Sequence, residues 1–325
     1  MSLQVASAIP VPGVVSVPVQ CPSMTATLDW YGCATYRLTI GDVVVFLDAY
    51  VDRVPGAAGP NPPVKADDID RADWIVVGHS HFDHLWGAER IAARTGATII
   101  GSHETVRVME AAGVPLAQLM PVAGGERIEL ADGLFVSVYP SLHSCVWSHQ
   151  GMHPVDEVCL GDLFVTHQER QDRMGDLFSY IATLGEDTRN HLRDSAQGPR
   201  GDGHTLVFLF DTPEGSLLYQ DTSGHWSGIV ADLRPDVAII AAAGRGNVDG
   251  EPIQGSLAQF VARQAALLKP ARVILSHHDN WLPGFSIATD VEPIRTELAR
   301  WLPRAELAEP GYLDGFEVFA GLRRG

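Results

Sequence analysis

Residues Gly78 to Gly87 read GHSHFDHLWG, three histidines and an aspartate within six positions, directly after the apolar run DWIVV. In an extended backbone, alternation sends His79 and His81 the same way, and a turn into a following helix can bring Asp83 and His84 to an adjacent point. One short loop can therefore serve two neighbouring cations. Imidazole nitrogens and a carboxylate suit Zn²⁺, Mn²⁺ or Fe²⁺, and the lack of cysteine in the stretch disfavours a closed structural zinc site. Open coordination positions point to catalysis. The plainer alternative is a histidine-rich surface loop, with Asp83 capping a helix that starts near Leu85; the spacing at a strand end favours ligation.

Positioning such a loop needs a strand before it and a helix after it. TATLDWYGCATYRLTIGDVVVFLDAY reads as short strands, with Gly41-Asp42 as a tight hairpin turn and the second hairpin strand ending at Asp48. The charged segment VKADDIDRA leads into DWIVVGHSH, and LWGAERIAARTG follows with helical spacing and a terminal glycine. The second half repeats this plan. HTLVFLFDTPEGSLLYQD is a hairpin closed by Pro213-Glu214-Gly215 that ends at Asp221, and RPDVAIIAAAG parallels RADWIVVGH as a buried strand. SLAQFVARQAALLKPA is then an amphipathic helix ending near Pro270, and RVILSHH is an apolar strand tipped with histidines. Two β-rich halves, each followed by helices, predict an α+β fold with two sheets face to face and helices outside. Between the halves lies an insertion at about residues 145–204, far longer than usual connections, as a lid or substrate-shaping element would be.

The 325 residues, 46% of them hydrophobic, can bury a large core, and no long flexible linker divides them. We expect an N-terminal arm over 1–24 and one domain over 25–325. A net charge of −17 disfavours broad contact with nucleic acid or anionic membrane, because both require a basic surface. Cys21, Cys33, Cys145 and Cys159 are widely spaced, and none forms a C-x-x-C pair. A reducing, cytoplasmic setting is the simpler reading. The apolar N-terminal stretch has no basic flank and is broken by prolines, a poor signal peptide and a worse membrane span. The partner expected is a small-molecule substrate, and exposed edges plus the insertion leave room for a homo-oligomer.

H-x-H-x-D-H after a buried strand, between two β-rich halves, resembles the metallo-β-lactamase superfamily. The resemblance implies a four-layer αββα sandwich and a dinuclear site. It matches His143 in LFVSVYPSLHS, Asp221 in LLYQDTSG and His277 in VILSHHD to the family's remaining ligand positions. By that resemblance His79, His81 and His143 hold one metal, Asp83, His84 and His277 the other, and Asp221 lies between them. Asp48 matches an aspartate that supports the ligands from behind. The implied cofactors are two divalent ions, Zn²⁺ ahead of Mn²⁺ or Fe²⁺. The segment LDWYGCATYRLTIGDVVVFLDAY further resembles the branch containing L-ascorbate-6-phosphate lactonase and N-acyl-phosphatidylethanolamine phospholipase D, with Cys33 where relatives often have histidine.

The activity implied is hydrolysis of a small-molecule lactone or other ester by a hydroxide bridging the metals and oriented by Asp83 and Asp221. His81 stands where redox di-iron relatives carry a glutamate, and Asp221 where many true β-lactamases place a cysteine. The alternatives are a phosphodiesterase on the same site, or a non-catalytic or redox metal-binding module. His278 or Tyr36 would help stabilise an oxyanion. His278, Asp279 or Trp281 would line the pocket. Arg245 either holds an anionic substrate group at the rim or is a solvated loop arginine. His149, His153, His167, His204 and His225 read as surface or packing histidines, and Cys145 and Cys159 as inert thiols.

Overall fold

Alternating β-branched and aromatic residues in the first fifty positions give a meander whose strands pair through tight turns. The structure, a computed structural model, describes residues 25–148, 154–196 and 204–322. The expected arm over 1–24, His149 and His153 lie outside them. Strands β1 (Ala26–Gly32), β2 (Thr35–Ile40) and β3 (Val43–Leu47) run antiparallel, with Ile40 opposite Val43 across Gly41-Asp42. Then β4 (Trp74–Val76), β5 (Thr98–Gly101) and β6 (Leu119–Pro121) add in parallel.

The second half repeats the plan. β7 (Arg127–Ala131), β8 (Leu134–Pro140), β9 (Leu206–Thr212) and β10 (Gly215–Tyr219) are antiparallel, and β11 (Val237–Ala241), β12 (Arg272–Ser276) and β13 (Glu306–Ala308) add in parallel. The last strand, β14 (Phe316–Glu317), returns to pair with β1. Each sheet has seven strands, ordered β14-β1-β2-β3-β4-β5-β6 and β13-β12-β11-β10-β9-β8-β7. Thr212 pairs with Gly215, so the second hairpin turn is Pro213-Glu214 alone and Gly215 belongs to the strand.

Three apolar clusters define the layers. Leu28, Tyr36, Leu38 and Val76 of one sheet meet Val136, Phe208, Leu217 and Ile239 of the other. Helices α2 (Ala88–Thr95) and α3 (His103–Ala111), which follow the single turn α1 (Phe82–Leu85), pack Ile91, Val108 and Met109 on Phe46 and Ile75. Between β8 and β9 the insertion contributes α4 (His167–Ile181) and α5 (Glu186–Ser195). Beyond them, α6 (Leu257–Leu268) and α7 (Val291–Trp301) pack Phe260, Val261 and Leu298 on Leu218, Ile240 and Leu275. The result is the αββα sandwich.

Local chemistry sets the helix ends. Ser256 and Gln259 form a capping box at the start of α6, and Lys269 ends it in a left-handed turn before Pro270. One expectation changes: the helix after the histidine loop is broken at Trp86-Gly87, and Asp83 lies inside the short α1 rather than capping it. Gly87 has φ 122° and a side chain there would meet the Ala49 carbonyl oxygen at 2.5 Å, so the chain must bend at that point. Among the described residues no helix is long and apolar enough to cross a membrane.

His167 and His204 are exposed, whereas His225 is buried, its ring tilted against Phe260 at 5.3 Å. Burial pushes its pKa down to about 4. An unfolded histidine titrates at about 6.5, so between those values the unfolded chain binds a proton that the folded one refuses. Stability from this group is present above pH 6.5 and lost as pH falls towards 4. We expect urea midpoints of the parent protein to fall more steeply over that window than those of His225→Leu, with their difference constant again below about pH 4.

Candidate metal centre

The histidine loop leaves β4 at Val76 and stands at the carboxyl ends of the parallel strands. Gly78 is required there: a Cβ would lie 2.1 Å from Asp221 Oδ2. The Gly78 N–H donates to Asp48 Oδ1 at 3.0 Å, and His84 Nδ1 pairs with Asp48 Oδ2 at 2.6 Å. The Tyr219 hydroxyl donates to Asp48 Oδ2 as well, at 2.7 Å. Asp48 therefore stands behind the loop, where it would fix the His84 proton on Nδ1 and leave Nε2 free to hold a cation. Burial raises the Asp48 pKa to about 6 against the opposing pull of His84.

His79, His81 and His143 come together, with ring centroids 4.6 to 4.7 Å apart. His143 follows β8 and its Nδ1 is fixed on the Ser144 carbonyl oxygen at 2.9 Å. Asp221, two residues beyond β10, sits 2.6 Å from His79 Nδ1. His277, directly after β12, places Nε2 3.2 Å from Asp83 Oδ2, and that same oxygen is 3.5 Å from His84 Nε2. All seven residues thus form one continuous cluster. Three donor sets emerge there, two of them sharing His79: His79, His81 and His143; His79, His84 and Asp221; and Cys33, Asp83 and His277, each with its ligand atoms within 4.8 Å of one another.

Electrostatics and unsatisfied atoms both fit divalent cations. Burial, reinforced by His84, His81 and His143, pushes the His79 pKa well below its usual value, keeping a neutral imidazole. Burial would raise Asp83, but His84, His277 and His81 outweigh it and hold the carboxyl well below the usual range. His79 Nε2, Asp221 Oδ1 and His277 Nδ1 are buried without a hydrogen-bond partner among the described residues. Buried lone pairs on nitrogen and carboxylate oxygen normally find a partner, and a cation satisfies both kinds.

Five expected pocket residues fare differently. Trp281 is brought to the site, its ring 5.1 Å from His277 and 6.0 Å from Phe82. Tyr36 is not: it is fully buried between the sheets, and its hydroxyl donates to the Leu275 carbonyl oxygen at 2.5 Å, leaving no proton for an oxyanion. Arg245 is neither at a rim nor solvated; it is 5% exposed and donates to the Ile253 carbonyl oxygen at 2.6 Å, clamping the loop after β11. His278 lies flat on Trp30 at 4.6 Å, and its neighbour Asp279 accepts the Cys33 N–H, so both are engaged with the first hairpin rather than joined to the donor sets.

The sequence reading missed two participants. One is Cys33, whose thiol belongs to the third donor set; burial pushes its pKa up. Cys145 is a buried thiol, pushed up to about 12 by burial. The other is His191 of the insertion, whose Nε2 is 2.6 Å from the Tyr50 hydroxyl and whose ring meets Trp86 at 5.0 Å. Its helix α5 therefore covers the aromatic side of the site, supported by Thr188 donating to the Pro283 carbonyl oxygen.

Two substitutions separate support from ligation. Gly78→Ala must displace Asp221, and we expect metal affinity to fall about 10–100-fold, as measured by titration against a chelating indicator. Tyr36→Phe leaves one carbonyl unsatisfied and should cost about 1–2 kcal/mol in urea unfolding with metal content unchanged.

Comparison with known proteins agrees with this geometry. Residues 44–197 match the family model described as the beta-lactamase superfamily domain. A UPF0173 metal-dependent hydrolase of Pyrobaculum arsenaticum is 35% identical over 115 residues, which cover 35% of this chain and 49% of that protein. The chain thus spans about half the length of this relative. Among solved structures, the metallo hydrolase Igni18 of Ignicoccus hospitalis superposes with a TM-score of 0.55 at 17% identity, covering 88% of this chain and 96% of that one. CmlA, a diiron β-hydroxylase of Streptomyces venezuelae, superposes with a TM-score of 0.53 at 14% identity over 90% of this chain and 54% of its own. The four layers, the matched domain and the superposition on solved structures show that the chain has the metallo-β-lactamase fold.

Proposed function

We propose that the protein is a metal-dependent hydrolase with a dinuclear centre that cleaves a small-molecule lactone or other ester. The observation that carries this reading is the convergence of His79, His81, Asp83, His84, His143, Asp221 and His277 at one end of the sandwich, with buried donor atoms that have no partner among the described residues. His79, His81 and His143 would hold one cation, and Asp83, His84 and His277 the other, with Asp221 shared. Zn²⁺ suits this imidazole-rich set ahead of Mn²⁺ or Fe²⁺. Such cations supply Lewis acidity towards a carbonyl or phosphoryl oxygen and make water a better nucleophile near neutral pH.

The chain's own residues do the rest. Asp83, kept ionised by its histidine neighbours, accepts a hydrogen bond from the attacking water and orients it. Asp48 holds the His84 tautomer, so the ligand nitrogen keeps its lone pair. Trp281 and Phe82, with Tyr50 and His191 behind them, form an apolar flank that excludes bulk water from one side and favours a substrate with an apolar portion. A net charge of −17 supports a small molecule over nucleic acid. His81 in the first donor set supports hydrolysis over the di-iron redox use of this fold.

The test is hydrolysis by protein reconstituted with Zn²⁺ or Mn²⁺, followed by proton release across lactones, thioesters and phosphodiesters. We expect metal-dependent turnover of esters or lactones that falls by at least about 100-fold in Asp83→Ala, while far-ultraviolet circular dichroism is unchanged. Turnover confined to phosphodiesters would transfer the assignment to that bond. Two bound cations and no turnover with any class would overturn the hydrolase reading.

A further inference from the structure

The third donor set contains a side chain that the proposed hydrolysis does not use. Cys33 stands at the turn between β1 and β2, where Gly32 (φ 94°) and Cys33 (φ 50°) are consecutive left-handed residues. Gly32 is held to glycine by crowding, since a Cβ there would lie 2.8 Å from Arg53 Nη2 and 2.9 Å from Asp279 Oδ2. Cys33 carries its side chain in a backbone conformation that such residues rarely adopt, and the surroundings hold it there. Its N–H donates to Asp279 Oδ1 at 3.0 Å, and its carbonyl oxygen accepts the His277 N–H at 2.8 Å and Trp30 Nε1 at 3.1 Å. His277 is itself left-handed, with φ 60°. Two strained residues on opposite sheets are thus locked backbone to backbone.

The consequence of that lock is where the side chains end. The Cys33 thiol is fully buried, with a long contact of 3.7 Å to the Asp83 carbonyl oxygen and a side-chain interaction with His277. Its sulfur, an Asp83 carboxylate oxygen and a His277 ring nitrogen lie within 4.8 Å of one another. His277 has a side chain only 10% exposed, and its Nδ1 has no hydrogen-bond partner among the described residues. Cys33 also packs on Tyr50, Val54, Trp281 and Leu282, which a small apolar residue could do equally well. Filling that space does not require the thiol to face a carboxylate and an imidazole.

We infer that Cys33 is a ligand of the second cation, its thiolate joining Asp83 and His277, and that this cation is consequently a thiophilic one, Zn²⁺ or Fe²⁺ rather than Mn²⁺ or Mg²⁺. The inference rests on the dinuclear reading above. On binding, the S–H bond breaks, the sulfur lone pair forms the bond to the metal, and the proton leaves to solvent; no electron is transferred. Oxygen and nitrogen donors alone accept Mn²⁺ readily, whereas a thiolate selects softer ions, so one side chain sets which metal the second position retains.

Cobalt substitution reads this directly, because a thiolate bound to Co²⁺ gives an intense near-ultraviolet charge-transfer band that nitrogen and oxygen ligands do not. Full-length protein is titrated with Co²⁺ as the parent, as Cys33→Ser, and as a triple variant with Cys21→Ser, Cys145→Ser and Cys159→Ser. We expect two equivalents bound by the parent, the band growing with one of them, its full retention in the triple variant and its loss in Cys33→Ser. In Cys33→Ser the affinity for one equivalent should fall about tenfold or more while the other is unchanged. Two equivalents bound by the parent without the band, or a band lost in the triple variant, would overturn the inference and leave the dinuclear reading standing. Binding of fewer than two equivalents by the parent would overturn both. Because the parent and the triple variant already decide, an unfolded Cys33→Ser does not rescue the idea.

Discussion

The Asp48 carboxylate is the point on which the rest depends. It is fully buried and receives the Gly78 N–H, the Tyr219 hydroxyl and the His84 imidazole at 2.7 to 3.0 Å or closer. These donors come from the ligand loop and from the opposite sheet, so a single anion ties both halves of the sandwich to the metal-binding segment. A buried carboxylate is costly to desolvate and stays in place only where its lone pairs are met. Asp48 has a left-handed backbone, φ 56°, which turns the chain at the end of β3 and delivers the carboxylate inward. Removing it would leave the buried Gly78 N–H and His84 imidazole short of an acceptor, each costing about 1–3 kcal/mol, while the Tyr219 hydroxyl keeps the Ala34 carbonyl oxygen.

Symmetry of construction explains why ligands recur at equivalent places. A hairpin whose second strand is followed by a parallel partner occurs in both halves, β3 beside β4 and β10 beside β11. Asp48 follows β3 and Asp221 follows β10, while His79 follows β4. Parallel strands end together at one edge, and polar residues at those ends face a common crevice outside the sheet. The chemistry is therefore built where the backbone already lacks ladder partners, and the sandwich interior stays apolar.

Much of this was legible in the chain because it is written in local pattern. Period-two runs, Gly41-Asp42, the capping residues around Ser256 and the H-x-H-x-D-H spacing each depend on neighbours within a few positions. His143, Asp221 and His277 were legible as strand-end residues only through the family resemblance. What failed depended on distant partners. The Tyr36 hydroxyl finds a carbonyl 239 residues away, and nothing near Tyr36 announces it. Arg245 is spent on the carbonyl oxygens of its own loop, a shape set by tertiary packing. Cys33 carried no local signal as a donor, since the carbonyl oxygen its thiol contacts is 50 residues away and its own carbonyl oxygen accepts the N–H of distant His277. A break at Gly87 was hidden because the crowding comes from Ala49, in the segment that follows β3.

The backbone bond from His277 to Cys33 and the one from Cys33 to Asp279 bridge 246 residues in the latter case. Contacts of that span form only after nearly all loop-closure entropy has been spent, so they belong to the late stages of folding. A chain still emerging from synthesis holds the histidine loop long before it holds the strand that completes it. The donor sets, drawn from segments as distant as Cys33 and His277, are thereby complete only in the finished fold.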